Sequence, residues 1–206
     1  MDGNTVKDFF SDPVAVKHYV NAAIKVGLWK SEEAVFTQIF RKEDTLLECG
    51  CGAGRIGIGL WELGYTGLLG VDFCREMIVE ARRLSQLLEY GVSFQVGDAT
   101  ALKFEADLFD GVIFGFNGLM QIPRSENRKK ALKEIIRVLK KGGYFVFTTH
   151  DQGLLKRRDF WIEEKKRWEE GTQDPELEEY GDRLFDSPDG RIFMHIPSVK
   201  EIKDLL

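Results

Sequence analysis

The chain has few of the residues that build stapled or membrane-bound proteins. Only three cysteines occur in 206 residues: Cys49, Cys51 and Cys74. An odd, sparse set makes no disulfide framework and fits a reducing compartment, so a cytoplasmic location is expected. Cys49-x-Cys51 is too close, and too poor in partner ligands, to hold zinc, and no metal is expected. No apolar run approaches the roughly 18 residues that span a bilayer. The start MDGNTVKDFFSDP is polar and mixed in charge, unlike a signal peptide, so no membrane partner is expected. An excess of one charge is also missing, since 29 basic side chains face 34 acidic ones. Nucleic acid therefore has no sequence-wide electrostatic attraction to this chain. Repeats and low-complexity tracts are absent.

What remains is ordinary globular material, 43% apolar and 31% charged, of a size for one domain. Residues 1–43 read as helices, with Asp12-Pro13 capping one and Ser31-Glu32-Glu33 opening another. Strand and helix then alternate through DTLLECG, RIGIGLWELG, TGLLGVDF, REMIVEARRLSQLLEYG, VSFQVGDA and LFDGVIFGF. Gly91 is read as ending the second of these helices. In SENRKKALKEIIRVLKKGG, Leu132, Ile135, Ile136 and Leu139 make an apolar stripe that Gly142-Gly143 stops, before a fifth strand, YFVFTTHD. Five alternations predict an α/β, doubly wound, mostly parallel sheet, with ligands outside the carboxyl ends of the strands.

Residues 44–151 form the expected ligand-binding core, and 152–190 an insertion over its edge. Within the insertion, Leu154, Trp161 and Trp168 share a helical face with Leu155 and Ile162 alongside. A hairpin around Pro188-Asp189-Gly190 follows. Residues 191–206 read as a strand and the start of a last helix. A doubly wound sheet would normally continue, so a C-terminal strand is read as missing.

The loop ECGCGAGRIG, residues 48–57, fits two glycine frames. Gly52, Gly54 and Gly57 make G-x-G-x-x-G, the dinucleotide pattern, while Gly50, Gly52 and Gly54 make G-x-G-x-G. Asp72 lies at a distance that suits either. A dinucleotide sets its pyrophosphate on the helix N-terminus, where a carboxylate is unwelcome. S-adenosylmethionine carries a sulfonium and an ammonium instead, which favours an acidic neighbour such as Glu48. Asp98, closing the third strand, can accept from an adenine amino group. These two carboxylates select G-x-G-x-G, with Gly57 read as a small residue of the next helix.

Four motifs in order then resemble the class I S-adenosylmethionine-dependent methyltransferases. LLECGCGAGR looks like E/D-x-G-x-G-x-G. VDFCREMIVEAR is similar to the family's acidic strand end with D-x-S-x-x-M-x-x-x-A, Cys74 standing where serine is commoner. GDA matches the adenine-binding turn, and RVLKKGGYFVF resembles L-K-P-G-G, with Lys141 at the proline. The resemblance covers residues 45 to 151 and implies a Rossmann-like fold with S-adenosylmethionine as cofactor. It places Glu48, Gly50, Gly52 and Gly54 at the methionine end and Asp72 at the ribose. Met77 and Asp98 fall at the adenine, and Cys51, Phe73, Ala99 and Phe116 are further expected cofactor-binding residues.

The fourth strand end, FGFNGLMQIP, lacks the N/D-P-P-Y/F that base N-methyltransferases of this fold resemble one another in. It is similar to small-molecule members, so a small acceptor methylated on N or O is expected. A protein or tRNA acceptor through the insertion, or a non-catalytic cofactor-binding module, is the alternative. Methyl transfer is an in-line displacement and needs a base only if the acceptor must lose a proton. Asn117, Tyr19 and His150 are candidates to orient or deprotonate the acceptor. Trp161, Trp168 and His195 are further substrate-side candidates.

Overall fold

The computed structural model describes residues 3–187 and 190–206. Three helices, α1 (Gly3–Ser11), α2 (Pro13–Lys25) and α3 (Lys30–Ile39), precede any strand. Asp12 caps α2 by accepting from the Val14 N–H at 2.8 Å, with Pro13 at the first helical position. Helix α3 begins one residue earlier than expected. The Glu32 carboxylate there reaches back to accept from the Trp29 N–H at 2.9 Å.

The core then alternates through β1 (Thr45–Cys49), α4 (Arg55–Glu62), β2 (Gly67–Asp72), α5 (Arg75–Leu87) and β3 (Ser93–Val96). It continues with β4 (Phe109–Phe114), α6 (Ser125–Val138) and β5 (Leu139–Phe147). All the pairings are parallel, in the order β3-β2-β1-β4-β5. The expected doubly wound sheet is therefore the observed one. The winding reverses at β1, which lies between β2 and β4, and a crevice opens beyond its carboxyl end. The glycine loop occupies that point. One apolar cluster packs α1–α5 on a face of the sheet, and a second packs α6 on the other.

Beyond β5 lie α7 (Arg158–Glu170), the antiparallel strands β6 (Asp182–Ser187) and β7 (Gly190–His195), and α8 (Val199–Leu205). The strands form the expected hairpin, whose turn residues Pro188 and Asp189 lie outside the described residues. Strand β7 joins only β6, in a sheet of its own. No helix among the described residues is long and apolar enough to cross a membrane.

Three local expectations are corrected. Helix α5 ends four residues before Gly91, and Glu89 takes the left-handed turn, φ 57°. Gly91 instead lets Trp61 pack close, since a Cβ there would lie 2.6 Å from the indole. In α6 the buried face is Arg128, Ala131, Leu132, Ile135 and Val138. Ile136 is exposed because it is a 100° step from Ile135, and Leu139 already belongs to β5. Beyond β5, Leu154 precedes a 3-10 turn at Leu155–Arg157 and is exposed, as is Ile162. Helical phase therefore starts at Arg158, and Trp161 and Glu164 are its buried residues.

Candidate active site

Strand β1 delivers the chain to the crevice, and three glycines then turn it. Gly50, Gly52 and Gly54 have φ of 63°, 52° and 87°, the left-handed region that only glycine enters cheaply. A Cβ would also meet Phe114 at 2.6 Å from Gly50 and Phe94 at 2.7 Å from Gly54. The conformational frame is thus G-x-G-x-G. Gly57 lies inside α4 with no such φ, yet it is not incidental. Its N–H donates to Glu48 Oε2 at 2.9 Å, and a Cβ on it would sit 3.2 Å from that oxygen.

This bond bears on which ligand the loop suits. The first N–H groups of a helix are unpaired and attract anions. Here the N3 amide of α4 is already taken by the protein's own Glu48 carboxyl. A pyrophosphate would have to displace Glu48 from the place a dinucleotide uses. The surroundings are acidic as well: the charges acting on Glu48 are Glu32, Asp72 and the Arg55 cation. Burial pushes the Glu48 carboxyl up to about 8, against the opposing pull of Arg55 and the Gly57 N–H.

Arg55 is committed elsewhere. It forms a bidentate pair with Glu32, both contacts at 2.6 Å, and donates to the Gly27 carbonyl at 2.8 Å. Both partners are largely buried, so this fork fastens the N-terminal helices to the residue after the last loop glycine. Sequence reading missed this role. Glu32 showed only as part of a helix start, and its partner lies 23 positions away.

Asp72 ends β2 and faces the same loop. Its Oδ2 accepts from the Gly52 N–H at 2.8 Å and its Oδ1 from the Cys74 N–H at 2.9 Å. Each oxygen keeps a second lone-pair direction for a ligand hydroxyl. Burial raises its carboxyl to about 6 despite those two bonds. Asp98, beyond β3, is exposed; its Oδ1 accepts from the Thr100 N–H and hydroxyl, which leaves Oδ2 outside that turn. Ala99 is half-buried against the core. Met77 is 1% exposed inside the helix core and offers no surface for the adenine contact expected of it. Cys51 is buried, and its N–H holds the loop to the Val71 carbonyl at 3.0 Å.

Aromatic rings cluster beside the loop, reaching it through Tyr19. Tyr19 of α2 stands 3.6 Å from the position of a Gly52 Cβ, and its ring meets Phe10 and Phe116 edge-on. Phe73 touches Phe10, and Trp29 touches Phe116. Trp29 and Phe116 remain 46% and 40% exposed and form the rim. Phe116 and Asn117 both adopt left-handed backbone, φ 48° and 61°, which costs a phenylalanine about 1 kcal/mol. The Asn117 N–H donates to Thr148 Oγ at 3.0 Å, so the ends of β4 and β5 are tied together. His150 lies two residues beyond that tie and is exposed. Partial desolvation and the Arg157 cation hold it below the usual histidine range. An open cavity of about 530 Å³ follows, lined by Asp151, Gly153, Leu154, Lys156 and Arg157.

The other substrate-side candidates lie elsewhere. Trp161 and Trp168 pack on Tyr180, away from the glycine loop's aromatic cluster. His195 is 1% exposed, with Nδ1 at 2.8 Å from Asp182 and Nε2 at 2.8 Å from Glu201. With both nitrogens engaged, it joins the hairpin to α8 and has no free nitrogen for an acceptor.

A family model described as a methyltransferase domain matches residues 40–192. The chain is 30% identical over 149 residues to a demethylmenaquinone methyltransferase of Symbiobacterium thermophilum, covering 68% of this chain and 57% of that protein. It is 28% identical over 142 residues to a ubiquinone/menaquinone biosynthesis C-methyltransferase of Bdellovibrio bacteriovorus, covering 67% and 58%. The chain thus spans less than two thirds of the length of these curated relatives. A crystal structure described as a SAM-dependent methyltransferase of Methanosarcina mazei superposes with a TM-score of 0.70 at 25% identity, covering 87% and 83% of the two chains.

Proposed function

Since this chain belongs to the class I S-adenosylmethionine-dependent methyltransferases, we propose that it methylates a small, ring-bearing acceptor held beside the aromatic cluster. When bound, S-adenosylmethionine supplies a methyl group already activated on a sulfonium. Glu48 and the loop Gly50–Gly54 would hold its methionine end, Asp72 with Phe73 the ribose, and Asp98 with Ala99 the adenine. The residues fit that group: the loop offers carboxylates to its cations and no free cation to a phosphate.

The observation that carries the acceptor class is the aromatic cluster at the loop: Tyr19 stands 3.6 Å from the position of a Gly52 Cβ, Phe10 and Phe116 meet its ring edge-on, and Trp29 meets Phe116. Flat apolar rings suit an aromatic acceptor and exclude water from the reacting atoms. Relatives named for quinone-precursor methylation, one as a C-methyltransferase, favour a quinol-type ring. Carbon therefore joins the nitrogen and oxygen expected from sequence as the methylated atom. Ring-carbon attack needs an electron-rich phenolate, and His150, neutral at pH 7, would take the hydroxyl proton. Asn117, held by Thr148, would orient the ring.

Incubating the chain with methyl-labelled cofactor and a demethylmenaquinol analogue tests this. Label on a ring carbon supports the reading, and label only on a hydroxyl oxygen or an amine moves the assignment back to O or N. No transfer to any ring acceptor contradicts it.

A further inference from the structure

Glu48 is a carboxyl in an unusual position. It is 6% exposed at the end of the central strand. Its Oε2 is held by the Gly57 N–H at 2.9 Å. The charged groups around it are Arg55 on α4, Glu32 on α3 and Asp72 at the end of β2, with the buried thiols of Cys49 and Cys51 beside it. Arg55 is the only cation among those three, and Glu32 binds it with both oxygens. Asp72 has each oxygen on a backbone amide. The pocket therefore collects three acidic groups around one spoken-for guanidinium. It has room in its charge balance for a cation and none for a further anion.

We propose that Glu48 is a proton-exchanging counter-charge: it is neutral before the cationic end of the cofactor arrives, and its carboxyl releases a proton to solvent when that end is seated. This rests on the cofactor reading above and adds to it a means of discrimination. Ligands that keep the adenosine but lack the cations leave Glu48 protonated and gain nothing from it. The reaction is a simple ionisation, Glu48-COOH giving Glu48-COO⁻ and one proton to the buffer. The buried position accounts for the neutral form, since desolvation lifts the carboxyl to about 8. Asp72, lifted only to about 6, is largely ionised at pH 7 and supplies little of the proton.

Calorimetry of the full chain at pH 7, in two buffers of different ionisation enthalpy, counts the protons. With S-adenosylmethionine the expected result is a clear net release, on the order of one proton per ligand bound. With 5′-methylthioadenosine, which carries neither the sulfonium nor the amino-acid charges, it is close to none. In Glu48→Gln, which keeps an oxygen for the Gly57 N–H, release falls to less than about a fifth of the parent value. Cofactor binding without proton release in the parent chain, or undiminished release in Glu48→Gln, overturns this inference alone. Absence of any binding by the parent chain overturns the cofactor reading with it. The parent measurement stands whether or not the variant folds.

Discussion

Glu48 Oε2 accepts a hydrogen bond from the Gly57 N–H at 2.9 Å, so the acid at the end of β1 occupies the N-terminus of the helix that follows the glycine loop. This contact agrees with the G-x-G-x-G frame that Glu48 and Asp98 select from the sequence. It also gives Gly57 a role. Gly57→Ala would place a Cβ 3.2 Å from the carboxylate and 3.3 Å from Val92. The substitution should lower cofactor affinity about tenfold while changing stability by less than about 1 kcal/mol, the size of the helix-propensity gain that offsets the crowding. Titration calorimetry and a denaturant melt measure the two effects separately.

The raised carboxyl of Glu48 makes a prediction about pH. Its folded value of about 8 lies above the ordinary 4.5, so the folded state binds this proton more tightly than the unfolded chain. Its contribution to stability is fully present below about pH 4.5 and is lost as pH rises towards about 8. Asp72 behaves the same way between its ordinary 3.8 and about 6. Glu48→Gln removes the first part of this dependence. The variant should gain on the parent chain in unfolding free energy as pH rises from 5 to 9, as urea melts across that range will read.

The Arg55–Glu32 fork fastens the N-terminal helices. Removing one partner of a pair this buried strands the other charge. Glu32→Ala should therefore cost about 3–5 kcal/mol, and Arg55→Met with Glu32→Met together should cost less than the two single changes summed. A double-mutant cycle by thermal melting gives the coupling. Hydrogen exchange should show residues 13–39 opening first in Glu32→Ala.

Much of the fold was legible because strand and helix periods are local properties. The five strands, the cap on α2 and the 182–195 hairpin all follow from runs of a few residues. The glycine frame was legible too, since Glu48 sits two positions from Gly50. What escaped was set by tertiary distance. Arg55 and Glu32 look like ordinary charged helix residues until α3 is laid across the loop. Met77 fits the motif spacing, but packing drew it into the core. Trp161 and Trp168 looked available to an acceptor because nothing near them in sequence names Tyr180 as their partner. Ile136 was misplaced by a single helical step.

His195 joins the hairpin to α8 through carboxylates on both nitrogens. Burial alone would lower its pKa, but the bonds to Asp182 and Glu201 outweigh that and the net direction is upward. Stability from this group is fully present below its ordinary 6.5 and is lost as pH rises through the folded value. Glu201 moves downward, so its share is present above 4.5 and lost in acid. Amide exchange of residues 182–187 and 190–195, corrected for intrinsic rate, should be slowest between those limits and faster at about pH 9. His195→Gln should flatten the alkaline side.

Equilibrium binding to the full chain tests the central claim most directly. S-adenosylmethionine should bind with a Kd at or below about 100 μM, NAD at tenfold excess should not compete, and Asp72→Asn should weaken binding by about 10- to 100-fold, the worth of charge-assisted bonds to the ribose. Binding of NAD in preference to S-adenosylmethionine, or Asp72→Asn affinity within a factor of about two of the parent, would contradict the account.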